Sequence, residues 1–478
     1  MTNTPVAAVI LAAGGSTRYG QPKQLLSWKR RPLIAHIADV AWMAGLDPVI
    51  VVVGAAADAI TSVLASRPVR VVRNYRWAEG MSSSLSVGIA ALPAETEASL
   101  FLPVDQPLLT PRLLQQFVDA WRQERPGILI PRTAEGERGT PVLFERSYFA
   151  ELAMLTGDIG GRALFGRYAT EIAQLPVSDS RVLTDIDTPE IYQRLKAEFG
   201  AETATSDPRL SSVRGLICDM DGVLWRGATS LPGIQDFFTL IRELDLAYVL
   251  VTNNSSRTPE QYVHKLDEMG VETSADHILN SAVATARYVA EQKPGASVYA
   301  IGAQGVRHAL ASCGLVCYDA ETTQKADFVV VGWDRQLTWQ KLATATRLIL
   351  EGATFVSTNP DRTFPLETSL APGNGAQTAA LQAATGIEPT IVGKPAAPLY
   401  RQALERMGTT PETTLVIGDR LDTDILGGVR LGMPTALVLT GISQPEDLQK
   451  TPIHPTAVFA GLPDLVKMWS DARRSQHP

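Results

Sequence analysis

Short runs of apolar, largely β-branched residues recur along the whole chain. In the first part they are Val49–Val53, Val69–Val72, Ser99–Val104 and Gly127–Ile130. Later come Gly215–Cys218, Tyr248–Val251, Phe328–Val331, Leu415–Ile417 and Ala436–Leu439. Each is of strand length, and most are separated by stretches with helical periodicity, such as Pro111–Arg122 and Ile234–Leu244. That alternation predicts α/β domains built on largely parallel sheets. One segment breaks the rhythm: 198–212, EFGAETATSDPRLSS, is small, polar and unperiodic, as a linker should be. The reading is therefore a domain over residues 1–196, a linker over 197–212 and a second domain over 213–478. No internal repeat relates the two.

At 478 residues the chain exceeds one ordinary core, which agrees with more than one domain. Hydrophobic residues at 45% and charged residues at 19% give the balance of a globular protein. A net charge of −7 with no Lys/Arg block argues against a nucleic-acid binder. Cys218, Cys313 and Cys317 cannot make a disulfide framework, and no second ligand pair lies near the last two. The first apolar run, Val6–Ala13, lacks a basic leader and ends in glycines, and no later run approaches the roughly 20 apolar residues of a spanning helix. The expected location is the cytoplasm, with no membrane partner.

The first strand runs into LAAGGSTRYGQPKQLL, Leu11–Leu26. A glycine-rich turn between strand and helix presents backbone N–H groups to phosphate, and the helix N-terminus adds positive potential. Gly14 and Gly15 carry no Cβ to obstruct a ligand, while Arg18 and Lys23 offer cations to a triphosphate. The loop is neither a Walker A sequence nor G-x-G-x-x-G. The apolar run Leu100–Val104 ends at Asp105 in LPVDQP, where a carboxylate suits a magnesium ion on triphosphate oxygens. Asp185 and Asp187, in TDIDTPE, open the last helix of this part. Asp or Thr there serves equally well as an N-cap.

Taken together, LAAG-x-S-x-R-x-G-x-x-K, GMSSSLSVGI (Gly80–Ile89), VDQP, TGDIGGR (Thr156–Arg162) and DIDTPE resemble the molybdenum cofactor cytidylyltransferase family, over about residues 5–195. The resemblance implies a Rossmann-like fold and transfer of CMP from CTP to a terminal phosphate, with release of pyrophosphate. It further implies that Ala12, Ala13, Gly14, Gly15, Arg18 and Lys23 hold the nucleotide, that Ser82 and Ser83 lie near it, and that Asp105 and Asp187 hold Mg²⁺. An attacking phosphate oxygen needs no strong base, so catalysis would be positioning and charge neutralisation, with Arg18 and Lys23 taking part. Ala13 favours the cytidylyl branch over the guanylyl one. On the acceptor side, RGTPVLF carries Thr140 where the cytidylyl branch often has His, so a phosphorylated sugar or alcohol stands beside molybdenum cofactor as acceptor.

After the linker, GLICDMDGVLW delivers Asp219 from a strand, with Asp221 two positions on. Residues i and i+2 of an extended segment face one side, so both carboxylates can address one substrate. VTNNSSRT then places Thr252 and Asn253 at a strand end, IVGKP supplies Lys394, and VIGDRLDTDI supplies Asp419, Asp422 and Asp424. These four elements in order identify a member of the haloacid dehalogenase superfamily. ADFVVVGWD, STNPD (Ser357–Asp361) and LAPGNGA resemble the cap, at about 257–390, of the class that holds p-nitrophenylphosphatase and phosphoglycolate phosphatase. The expected fold is a second Rossmann-like core with an inserted α/β cap.

On that resemblance Asp219 would attack phosphorus to form an aspartyl-phosphate, and Asp221 would protonate the leaving oxygen and then activate water. Thr252 and Asn253 would address the phosphoryl group and Lys394 would offset its charge. Asp419 would bind Mg²⁺ with Asp219 and the carbonyl of Asp221, supported by Asp424, while Asp422 reads as a solvated loop acid. Asn359 and Asp361 either face the substrate or form a turn. The scattered histidines carry no triad spacing, Trp333 and Trp339 read as cap packing, and Ser82–Ser84 also suit a helix N-cap. The whole chain reads as a bifunctional enzyme acting on CTP, a phosphorylated acceptor and a small phosphomonoester. A nucleotide-sensing first domain on an active phosphatase is the competing class, and a homodimer is expected from the cap type.

Overall fold

The computed structural model describes residues 6–16, 19–29, 31–134, 136, 139–199, 212–319, 322–365 and 370–474. Residues up to 199 form one compact unit and residues from 212 on form another.

The first unit is built on seven strands: β1 (Val6–Ala12), β2 (Val49–Val53), β3 (Arg70–Arg73), β4 (Ala98–Pro103), β5 (Ile128–Thr133), β6 (Val142–Glu145) and β7 (Ile172–Val177). Their order is β3-β2-β1-β4-β6-β5-β7. All neighbours are parallel except β6, which runs against both β4 and β5. β1, VAAVILA, is buried along nearly its whole length because helices cover both faces of a central parallel strand. Val9, Ile50, Val52, Phe101 and Phe144 pack into one core on one face. The apolar stripe of Pro111–Glu124 buries Leu114, Phe117 and Trp121; Thr110 Oγ1 accepts from Leu113 N at its start. The last helix, Pro189–Phe199, is anchored by the buried Tyr192 and Leu195 and runs past the boundary expected at residue 196.

The second unit holds two parallel sheets. β8 (Gly215–Asp219), β9 (Ala247–Thr252), β10 (Ile278–Asn280), β16 (Thr414–Gly418), β17 (Thr435–Val438) and β18 (Ala457–Phe459) form one, ordered β10-β9-β8-β16-β17-β18. β11 (Ser297–Ile301), β12 (Val316–Tyr318), β13 (Phe328–Val331), β14 (Thr354–Ser357) and β15 (Thr390–Ile391) form the other, ordered β12-β11-β13-β14-β15. The cap is thus smaller than expected. β10 pairs with β9 of the core sheet, so the stretch from 257 to the end of β10 belongs with the core and the inserted sheet starts at Ser297. The reason is packing: Ile278 and Leu279 are fully buried against core strands.

In both core sheets the chain leaves the first strand to one side and later returns to the other. The crevice between β1 and β4, and between β8 and β16, is therefore a topological switch point, where ligands bind at strand carboxyl ends. The glycine-rich loop and Asp105 follow β1 and β4. Asp219 ends β8 and Asp419 follows β16.

Candidate active sites

In the first unit the glycine-rich loop is held from within. Gln24, almost fully buried, donates to the carbonyls of Ala12 (3.0 Å) and Gly14 (2.8 Å), and Ser16 Oγ accepts from Lys23 N. A Cβ on Gly14 would meet nothing within 4 Å, so its outer side is open to a ligand, whereas one on Gly15 would come 3.2 Å from the Trp77 ring. Gly15 is thus spent on packing Trp77. Arg18 lies outside the described residues. Lys23 Nζ sits between two carboxylates, 3.1 Å from Asp105 Oδ2 and 3.4 Å from Asp187 Oδ1. Ile186 N donates to the Asp105 carbonyl (2.8 Å), which brings the TDIDTPE segment against LPVDQP.

Asp185 joins the same group. Displacement of water pushes its carboxyl up to about 6, and the charges of Asp105 and Asp187 add to the shift against Gln106 and Arg162. Of the Asp or Thr caps left open by the sequence, the threonine is the one seen: Thr188 Oγ1 accepts from Ile191 N at 3.4 Å. Gln24 was also missed; nothing in its spacing marks it. The expected role of Ser82 and Ser83 beside the nucleotide meets a different geometry. Both are buried, Ser82 Oγ donates to the Gly157 carbonyl (2.6 Å), and Ser83 Oγ donates to Gly80 O (2.8 Å) while accepting from Asn74 Nδ2 (2.8 Å). The Ser82 hydroxyl ties the start of helix Met81–Ala90 to TGDIGGR, where Asp158 Oδ1 also accepts from Met81 N, while the Ser83 hydroxyl closes the turn that precedes the helix. Thr140 Oγ1 accepts from Gln106 Nε2 (2.9 Å), directly beside Asp105 in sequence.

The second unit gathers its carboxylates more tightly. Asp219, Asp419 and Asp424 are buried, with ligand oxygens all within 4.8 Å of one another. Lys394 Nζ donates to Asp219 Oδ1 (2.5 Å) and Asp424 Oδ1 (2.6 Å). Asp419 Oδ2 accepts from Ile442 N (2.7 Å). Room for it exists because two neighbours are glycines: a Cβ would fall 2.6 Å from Asp419 Oδ2 at Gly222 and 1.9 Å from it at Gly441. Gly222 also has φ +87°, a backbone that suits glycine. The wide helical turn Leu421–Ile425, in which Ile425 N reaches back to Arg420 O, swings Asp424 inward, and Arg420 N donates to Asp424 Oδ2 (3.2 Å).

Burial raises Asp219 well above the ordinary carboxylate range, against the pull of Lys394, and raises Asp419 to about 7 with Asp424 adding to it. Burial would lower Lys394, but Asp219 and Asp424 hold its ammonium well above the ordinary lysine range. With all three carboxylates ionised, the one ammonium leaves an excess of two negative charges in a space lined by oxygen donors. That donor set and charge fit a hard divalent cation such as Mg²⁺. In the first unit Asp105 and Asp187 share Lys23 in the same way, but they are two carboxylates instead of three, and Asp187 is largely exposed.

The remaining sequence-derived residues divide. Asp221 is exposed, with Oδ1 accepting from the fully buried Trp225 Nε1 (2.7 Å). Thr252 is buried, its Oγ1 accepting from Asn254 N. Asn253 serves as a junction: its Nδ2 donates to Lys394 O (2.9 Å) and Asp361 Oδ1 (3.3 Å), and its carbonyl accepts from Asn359 Nδ2 (2.7 Å) and Ser281 Oγ (2.7 Å). Asn359 is consequently a buried strut between cap and core, with Oδ1 accepting from Asp361 N, rather than a group facing substrate. Asp361 remains partly exposed beside the centre, where burial raises its carboxyl and Arg420 and Lys394 oppose the shift. Asp422 is exposed and pairs with Arg420, a residue sequence reasoning passed over.

Comparison with known proteins places both units. Residues 8–172 match a MobA-like NTP transferase domain, residues 216–316 a haloacid dehalogenase-like hydrolase, and residues 391–465 a further haloacid dehalogenase-type segment. The acid sugar phosphatase of Staphylococcus aureus (strain USA300) is 40% identical over 257 residues, 54% of this chain and 98% of that protein. The chain belongs to the haloacid dehalogenase-like hydrolases. Among solved structures, p-nitrophenyl phosphatase from Archaeoglobus fulgidus matches with a TM-score of 0.51 at 35% identity, over 53% of this chain and 98% of that one. The 4-nitrophenylphosphatase from Thermotoga maritima matches at 0.52 and 33%, over 54% and 98%. This haloacid dehalogenase-like hydrolase carries an NTP transferase domain ahead of it, and the chain is both a nucleotidyltransferase and a phosphatase. Among the described residues no helix is long and apolar enough to cross a membrane.

Proposed function

We propose that the first unit transfers CMP from CTP to a phosphorylated acceptor of the molybdenum cofactor type, and that the second hydrolyses a small phosphomonoester, a sugar phosphate, through an aspartyl-phosphate. The observation that carries the phosphatase reading is the buried set of Asp219, Asp419 and Asp424 around Lys394 at a switch point. The sugar-phosphate reading draws on the acid sugar phosphatase relative.

Asp219 attacks phosphorus in line; the bond to the ester oxygen breaks as the bond to the carboxylate forms. Asp221, oriented by Trp225, gives its proton to the leaving oxygen and then takes one from water, which attacks the same phosphorus and frees Asp219 and inorganic phosphate. Lys394 holds Asp219 and offsets phosphoryl charge. Mg²⁺, when bound by Asp219, Asp419 and the Asp221 carbonyl with Asp424 beside them, supplies further neutralisation.

In the first unit Lys23 and Arg18 would offset the charge of the triphosphate, the loop from Ala12 to Gly15 would receive it, and Asp105 and Asp187 would hold Mg²⁺ and so neutralise it further. The acceptor phosphate oxygen attacks the α-phosphorus and pyrophosphate leaves. A sugar or alcohol phosphate is the second acceptor reading, favoured by Thr140, whose hydroxyl accepts from Gln106 where the cytidylyl branch often has an imidazole.

The test is pyrophosphate release with Mg²⁺ and each of CTP, GTP, ATP and UTP, with and without molybdenum cofactor. Release that needs CTP and the cofactor is expected. Release with a sugar or alcohol phosphate instead would transfer the assignment to the second acceptor, and release with another nucleotide alone would overturn the cytidylyl reading.

A further inference from the structure

Arg420 and Asp361 meet across the boundary between core and cap. Arg420 follows β16 and the proposed metal ligand Asp419, while Asp361 lies just beyond β14 in the inserted sheet. The guanidinium is fixed on one edge, with Nε 3.1 Å from Asp422 Oδ1 and Nη2 3.0 Å from Asp422 Oδ2. Its other arm, Nη1, stops 3.9 Å from Asp361 Oδ1, beyond hydrogen-bond length. Asp361 is fixed as well: Asn253 Nδ2 reaches the same Oδ1 at 3.3 Å, and Asn359 Oδ1 takes its backbone N–H.

Both side chains keep partial exposure, 29% for Arg420 and 20% for Asp361. Both also border the reacting centre. Arg420 N is bonded to Asp424, and Asn253 joins Asp361 to the carbonyl of Lys394. A fixed donor and a fixed acceptor, separated by slightly more than a hydrogen bond, describe the contact partners of one hydroxyl group. Its oxygen accepts from Nη1 while its proton goes to the carboxylate, each at about 2.8 Å.

We propose that the Arg420–Asp361 pair reads a hydroxyl on the leaving group, and so selects polyol phosphates. The inference rests on the sugar-phosphate reading and adds the residues that enforce it. A site built to hydrogen-bond a hydroxyl disfavours the analogue that lacks it, because Nη1 of Arg420 and the remaining lone pairs of Asp361 then lose that contact while an apolar group lies against them. Neither residue takes part in bond making, so the pair acts mainly through KM.

The experiment compares kcat/KM for glycerol phosphate and propyl phosphate, which differ in hydroxyls alone, in the full chain and in Arg420→Met, Asp361→Ala and Arg420→Lys. The expected result is a preference for glycerol phosphate in the parent. Arg420→Met and Asp361→Ala should each lower kcat/KM for glycerol phosphate at least about tenfold more than for propyl phosphate, mainly through KM. Arg420→Lys, which keeps a charged donor, should recover part of the preference. A parent preference that the variants leave intact, or an equal loss on both substrates, overturns the pair as hydroxyl reader and leaves the sugar-phosphate reading standing. A parent with no preference overturns both.

Discussion

Lys23 and Lys394 each bridge two carboxylates at a switch point, yet the two arrangements differ in depth. Lys394 has 4% of its side chain exposed and lies 2.5 and 2.6 Å from Asp219 and Asp424. Lys23 is 15% exposed and stands 3.1 and 3.4 Å from Asp105 and from Asp187, itself 71% exposed. Depth decides what such a lysine can do. A buried ammonium among buried carboxylates is locked, since losing either partner leaves charge in a poor dielectric. A partly exposed one, with a largely exposed carboxylate as one of its partners, is better screened and can leave for a polyphosphate at lower cost. The hydrolase thus has a rigid centre for a small, repeated phosphoryl step, and the transferase has an open one whose lysine must serve a larger ligand.

The largest effect that would break this contrast is at Lys394. Lys394→Met should abolish phosphate release and lower the unfolding free energy of the second unit by about 3–5 kcal/mol, read by chemical denaturation. A loss under about 1 kcal/mol would mean the carboxylates relax by protonation and are not locked. Next, Lys23→Met should change stability by no more than about 1 kcal/mol while pyrophosphate release falls on the order of 100-fold. A large destabilisation there would erase the difference between the sites.

The smallest effect concerns Asp327, a partly exposed acid in the second unit. Hydrogen bonds from Lys293 and then from Ser297 hold it down at about 2. A folded value below the unfolded one contributes stability at neutral pH that is lost as pH falls from about 4 toward 2. Asp327→Asn should therefore cost no more than about 1 kcal/mol at pH 7, after screening, and nothing near pH 2. Melting curves across that window check it; an equal cost at both ends would assign the effect to packing.

Much of the fold was legible because central parallel strands are continuous apolar runs: Val49–Val53 and Phe328–Val331 are strands over those very residues. β7, IAQLPV, escaped because an edge strand tolerates polar residues and Pro176. The extent of the cap was misjudged because a short buried strand such as Ile278–Asn280 carries no mark of the sheet it joins. Strand ends were readable as positions for Asp105, Asp219 and Asp419. Side-chain direction was not. Asp424 reaches the centre through a wide helical turn, and Ser82 and Ser83 turn to the protein's own carbonyls. Arg420 and Gln24 act through contacts with residues that spacing alone does not reveal.

The central claim is that one chain holds two separate reaction centres. Asp219→Asn, assayed in one preparation for phosphate release from glycerol phosphate and for pyrophosphate release from CTP, tests it most directly. The account predicts that the first falls by about 10³-fold or more while the second keeps the parent rate. Loss of both activities in a folded variant would contradict it.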